Sequence, residues 1–486
     1  MSQMLRGLRR ALLTEPPRPA AVRERADAHW LVVASVCVGA FMGQLDASIT
    51  TLALPRIATD LGAGLDAVEW VSLSYLLVLV GAVVAVGRAA DLLGRKLLYT
   101  WGFVIFTVGS ALCGLAPTLA WLIAARCFQA VGAAMLQANS VALITAAMPR
   151  DRLGRGIGIQ GAAQALGLAL GPAVGGALLA AGGWRLIFLI NLPVGVAGIA
   201  LAWLLLPRSR EVEHTGHFDW LGAALLWAGA GALLAAISFG RQLGGGSAML
   251  WALLVATALL GPAFLVHQLR SRWPLLDLRM VTSRRVGPGL AAGMLASLVL
   301  FGTLLAISLH LEARGGVSGL RAGLDLCALP VAIGVLAPLG GRLTDRSGAR
   351  RATIVGMLVC AAGMLLLALR RDTEAMLVAG LAVSGAGLGL FTPANNAAVM
   401  RGVDPSVAGV VGGLLTMSRG LGTALGVAVA GLVYALGAGT GALSGAAAGR
   451  GVDATLLTMA GISVLAAVIT ATRERTGPAV RATSAG

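Results

Sequence analysis

Over most of this chain the apolar positions do not alternate with polar ones. They fill runs of roughly 20 residues, separated by short segments rich in glycine, proline and charge. A helix rises about 1.5 Å per residue, so about 20 apolar residues cross the ~30 Å hydrocarbon core of a bilayer. Fourteen such runs are present, at 30–53, 68–88, 97–115, 118–147, 156–181, 186–206, 219–239, 249–269, 287–310, 322–341, 352–369, 375–400, 407–435 and 453–471. The pattern predicts an all-α polytopic membrane protein with fourteen transmembrane helices.

Composition agrees: 12% of residues are charged and mean hydropathy is +0.86, where soluble domains carry about 25% charge. The formal net charge of +16 would suit nucleic-acid binding, but its distribution excludes that reading. With the first segment placed in the cytoplasm and the loops alternating, 27 of the 37 Lys and Arg residues fall on the inner side, eight on the outer side and two inside spans. This is the positive-inside bias. It predicts a multi-pass protein of the cell (inner) membrane with both termini cytoplasmic. The 68 glycines fit the same picture, because small residues let membrane helices approach closely.

The chain repeats itself. G-x-x-x-D-x-x-G occurs as Gly87, Asp91, Gly94 and again as Gly341, Asp345, Gly348, an offset of 254. QALGLALG at 164–171 and RGLGTALG at 419–426 match at an offset of 255. Duplicated halves of six spans each follow, leaving two extra spans between them. The expected division is a tail over 1–29, a six-helix bundle over 30–206, a linker with two extra helices over 207–270, a second bundle over 271–472 and a tail over 473–486.

An ionisable group inside a span costs roughly 2.5–3.5 kcal/mol at the helix centre, so it faces a partner or a water-filled cavity. Asp46 and Arg126 both lie in the outer half of their spans at similar depth, and both are expected to face one cavity. At 100° per residue Gln129 and Gln137 share the Arg126 face. Gln164 on the fifth span and Arg419 on the thirteenth occupy equivalent repeat positions, and both are candidates for the cavity wall. Asp46 is the candidate proton carrier: desolvation favours its neutral form, and water or a nearby cation favours the charged one. A cationic substrate would compete for the same carboxylate.

The motifs resemble the major facilitator superfamily, specifically its fourteen-helix drug:proton antiporters. LDASITTLALPRI at 45–57, GRAADLLGRK at 87–96, LIAARCFQAVGAAM at 122–135, GLALGPAVGG at 167–176 and GGWRLIFLINLPVG at 182–195 occur in that family's order. Leu92, Ala130 and Ala138 depart from its usual residues. The resemblance implies two six-helix bundles that rock by alternating access. It implies an inner gate of Gly87, Asp91, Gly94 and Arg95, with a second copy at Gly341, Asp345, Gly348 and Arg350. It also implies that the seam of Gly167, Gly171, Pro172, Gly175 and Gly176 seals the cavity against proton leak.

No nucleotide-binding loop, His/Cys metal cluster or nucleophile elbow is present. The sequence therefore predicts no enzyme, no metal and no cofactor beyond a proton gradient. It predicts a monomer that exports amphipathic, cationic compounds in exchange for protons. A dedicated exporter of one endogenous antibiotic, siderophore or lipid is the alternative.

Overall fold

The computed structural model describes residues 15, 17–209, 217–243, 247–314, 319–371, 373–439 and 446–472. Fourteen helices long and apolar enough to span a bilayer are present: α1 (Ala28–Leu61), α2 (Leu65–Leu93), α3 (Arg95–Gly114), α4 (Leu119–Ala147), α5 (Leu153–Gly182), α6 (Trp184–Leu205), α7 (Trp220–Ser238), α8 (Ala248–Arg270), α9 (Gly287–Arg314), α10 (Arg321–Ser347), α11 (Ala349–Arg370), α12 (Glu374–Met400), α13 (Pro405–Ala438) and α14 (Ala447–Ala471). No strand occurs among the described residues. The chain is thus an all-α multi-pass membrane protein. The expected tail over 473–486 and most of that over 1–29 lie outside the described residues.

Several helices run further than the apolar pattern predicts. α1 continues eight residues past 53 with Pro55 inside it. α2 carries its helix through Arg88 and Asp91 to Leu93. The segment read as a loop is therefore nearly all helix, and the chain reverses at one residue, Gly94, whose φ of 112° favours glycine. Gly348 makes the equivalent reversal at φ 84°.

The duplication is visible in the packing. Helix pairs α1–α5, α1–α6, α2–α4, α3–α4 and α3–α6 form the first bundle, and each pairing recurs among α9–α14. Between the bundles, α5 packs on α10 as α13 packs on α2. Lipid tails are as apolar as leucine, so burying leucine drives little of this association, and close backbone approach carries much of it. Glycines do the spacing. A Cβ on Gly387 of α12 would collide with the backbone of Cys360 and Gly356 on α11, and one on Gly158 of α5 would lie 2.5 Å from the Ala337 carbonyl of α10.

The two extra helices form a hairpin outside this pair of bundles. α7 touches both α2 and α13, with Trp227 seated on Gly81 of α2, whereas α8 packs on α7. The Asp219 carboxylate fastens the hairpin's base. It accepts hydrogen bonds from Gly222 N at 2.8 Å and Gln268 Nε2 at 2.9 Å, and it meets His267 Nε2 at 2.8 Å. His267, which carries no expected role in the sequence, is thus part of this fastening.

Gly387→Val forces α11 and α12 apart. Overpacking of this kind costs about 1–3 kcal/mol, so the thermal midpoint of the detergent-solubilised protein should fall. Gly461→Val, at a position with nothing within 4 Å of a built Cβ, should leave it unchanged.

Candidate functional site

Asp46 lies mid-way along α1, buried to 1% exposure, and its carboxylate is fully engaged. Oδ2 accepts a hydrogen bond from Arg126 Nη1 on α4 at 2.7 Å. Oδ1 accepts from Gln129 Nε2 at 3.0 Å and from Asn191 Nδ2 on α6 at 2.9 Å. The Ser110 hydroxyl on α3 accepts from both of those amides, at 3.2 and 2.9 Å, and donates to the Phe188 carbonyl at 2.9 Å. Five side chains from four helices therefore form one closed network.

Arg126 is equally well held. Its Nη1 also reaches Gln129 Oε1 at 2.7 Å, its Nε donates to the Val71 carbonyl at 3.2 Å, and its guanidinium lies 4.1 Å from the Tyr75 ring centroid. A charged pair in a low-dielectric interior is tolerable only when hydrogen bonds satisfy its remaining donors and acceptors, and here both oxygens of Asp46 and the Nε and Nη1 of Arg126 are engaged.

Beside the network lies a cavity of about 360 Å³ between the bundles. α1, α2, α4 and α5 contribute Gln44, Thr51, Ser72, Tyr75, Arg126, Gln137 and Gln164 among other residues, and α9, α10, α12 and α13 contribute Phe301, Ile333, Phe391, Asn395, Thr416 and Arg419 among theirs. Gln137, Gln164 and Arg419 thus line it as expected. Two expectations need correction. Gln129 is completely buried in the Asp46 network and does not line the cavity. Asp46 does not open onto it either: Arg126 stands between, so a cationic substrate meets no free carboxylate.

At one end of the cavity the bundles are pinned together. The Asp91 carboxylate accepts hydrogen bonds from the backbone amides of Gly409 at 2.9 Å and Val410 at 3.0 Å, where α13 of the opposite bundle passes from a 3-10 turn into its α-helical part at Ala408. Asp345 does the same with Gly154 at 2.8 Å and Arg155 at 2.9 Å, in the first turn of α5. A helix N-terminus presents unsatisfied amides and positive potential, which suits a carboxylate. Gly87 and Gly341 allow the approach, since a Cβ on either would strike the backbone of Gly409 or Gly154.

The cations of the two pins differ. Arg95 pairs with Asp91 at 2.7 Å, one turn along the chain, and also donates to the Pro405 carbonyl. Arg350, the expected counterpart, does not approach Asp345 and instead donates to the Ala471 carbonyl at 2.6 Å. The repeat offset explains this: Gly94 maps to Gly348, so Arg95 maps to Ala349 and Arg350 to Lys96. Arg401, at the end of α12, supplies the cation at 2.9 Å from Asp345.

The glycine seam of α5 packs on α1. A Cβ on Gly167 would lie 2.5 Å from the Phe41 carbonyl, one on Gly171 would strike Ser48, and one on Gly175 would lie 3.1 Å from Ile49. Pro172 faces Gly323 of α10, and α5 continues through it. Gly176 is a correction, for it is exposed with nothing within 4 Å of a built Cβ.

Sequence reasoning missed Asn191, Ser110, Tyr75 and Arg401. Asn191 and Ser110 were detectable as lone polar residues in apolar runs, whereas Arg401 looks like any other loop cation.

The sequence profile of the Major Facilitator Superfamily matches residues 36–426 and also 289–485. The chain belongs to that superfamily. It is 33% identical over 406 residues to the riboflavin transporter RibZ of Clostridioides difficile, covering 82% of this chain and 87% of RibZ. It is 33% identical over 411 residues to the multidrug resistance protein Stp of Mycobacterium tuberculosis, covering 83% of this chain and 76% of Stp. The human organic anion transporter MFSD10 shares the fold at a TM-score of 0.65 and 17% identity, over 91% of this chain and 99% of that one. The superfamily's members are transporters, so this chain is a membrane transporter of small molecules and not an enzyme.

Two outcomes follow. Removing one partner of a buried ion pair costs about 3–5 kcal/mol, so Arg126→Gln should lower the thermal midpoint more than the double variant Arg126→Gln/Asp46→Asn, which leaves no charge uncompensated. Arg401→Gln should raise the reactivity of a cysteine placed at the pinned end of the cavity, while Arg350→Gln leaves it unchanged.

Proposed function

We propose that the protein is a proton-coupled antiporter that exports amphipathic small molecules by alternating access. The observation that carries this reading is the Asp46–Arg126 pair, in which Arg126 lines the inter-bundle cavity and Asp46 lies behind it, sealed by Gln129, Asn191 and Ser110. A proton arriving at Asp46 neutralises the carboxylate and removes the charge that holds Arg126. The network then relaxes, and the substrate-free carrier turns back with its proton. When Asp46 faces the other compartment, water restores the charged form and the pair closes again.

The two Asp pins lie at the end of the cavity where the Arg-rich turns cluster. By the positive-inside bias this is the cytoplasmic end, and both termini share that side in an inner membrane. The cavity is then shut toward the cytoplasm. Export is supported by the similarity to Stp, named for multidrug resistance. The second reading is a dedicated exporter of one metabolite, favoured by the similarity to RibZ, named for a single compound. A deletion strain hypersensitive to several unrelated dyes supports broad export, and one with a single narrow phenotype supports the dedicated exporter.

Asp46→Asn in proteoliposomes should abolish substrate movement driven by an imposed proton gradient and should retain exchange of labelled for unlabelled substrate. Gradient-driven transport that survives the substitution would refute Asp46 as the proton carrier.

A further inference from the structure

The charge of the cavity is one-sided. Among the described residues its wall contains two arginines and no Asp or Glu. Arg126 is neutralised by Asp46 at 2.7 Å. Arg419 is not neutralised: among the described residues no carboxylate lies within ion-pair distance of it. Its Nη1 lies 3.5 Å from Gln164 Oε1 and its Nη2 3.3 Å from Thr416 Oγ1, both long contacts to neutral oxygens. Its Nε is buried with no acceptor.

Other donors in the same wall are idle as well. Ser72 and Tyr75 line the cavity, and their hydroxyls are buried in its wall with no partner. A guanidinium kept in a low-dielectric wall without a counter-ion is unfavourable, and a ligand that brings an anionic oxygen relieves it. The planar fork of the guanidinium matches a carboxylate or sulfonate with two parallel hydrogen bonds. The bundle that carries Arg419 also supplies apolar surface, with Leu300 and Phe301 on α9 and Leu388 and Phe391 on α12.

We propose that the cavity takes amphipathic organic anions, each an aromatic or aliphatic body bearing a carboxylate or another ionised oxygen acid, with Arg419 as the anchoring residue. This departs from the cationic substrate expected from the sequence, and its reason is physical: Asp46, the acid expected to meet that cation, is already spent on Arg126. For transport the proposal rests on the exporter reading above, whereas binding does not depend on it.

Fluorescein and rhodamine 123 share a xanthene frame and carry opposite charge, so they test the sign of the site directly. Binding of each to the full chain in lipid nanodiscs is followed by fluorescence anisotropy. The unaltered protein should bind fluorescein more tightly. Losing a charge-assisted hydrogen bond corresponds to about tenfold or more in affinity. The ratio of fluorescein to rhodamine 123 affinity should therefore fall by that factor in Arg419→Gln and by less in Arg419→Lys, which keeps the charge and loses the fork. A preference for rhodamine 123, an absence of fluorescein binding, or a ratio that Arg419→Gln leaves unchanged overturns the proposal. Uptake of fluorescein into everted vesicles, with and without a proton gradient, separates the two readings. Arg419-dependent binding without gradient-dependent uptake removes proton exchange and leaves the anion site standing.

Discussion

A carboxylate without water must find its entire solvation shell in the protein, and Asp46 finds it in Arg126, Gln129 and Asn191 on two other helices. Much of the first bundle is arranged around that requirement. Ser110 is placed to accept from the two amides that solvate Asp46, and the Tyr75 ring covers the free face of the guanidinium. α3 and α4 come close enough for this because Gly109 lies against the backbone of Gln129, where a Cβ would be 2.7 Å from its Cα. Sequence, packing and chemistry are coupled here: a bulkier residue at 109 would displace the helix that carries both Arg126 and Gln129.

The duplication gives each bundle the means to hold the other, although the two pins are not copies. Asp91 and Asp345 each reach across to the first α-helical turn of the opposite bundle's fifth helix, so the backbone half of each pin is symmetric. The side-chain half is not. Arg95 is local to its acid, whereas Arg401 comes from another helix of its bundle. Helix-terminus amides are available in either repeat whatever the sequence, but a cation must be encoded at a particular position, and the repeats have diverged there.

What could be read from the chain follows from the same distinction. The number of spans, the repeat and the depth of Asp46 and Arg126 depend on local composition and on helical rise, both explicit in the sequence. Asp91 and Asp345 were legible too, because the same glycine-flanked acid recurs at the repeat offset. Gln129 was misplaced because a helical face subtends a wide angle, and its amide turns to Asp46 and Ser110 instead of the cavity. Arg350 was misassigned by proximity in sequence, when the repeat register already put Ala349 at the position that matters. The lack of a counter-ion for Arg419 was invisible, since it depends on what the other cavity-lining helices leave undone around it.

By duplication the two flanks of the molecule, α2 against α13 and α5 against α10, would be equivalent. The hairpin of α7 and α8 covers only the first, with Trp227 lying on Gly81. A compound dissolved among the acyl chains therefore meets a screened flank on one side and a bare one on the other. Approach to the cavity from the bilayer meets an extra layer of helix at the α2–α13 flank that, among the described residues, the α5–α10 flank lacks.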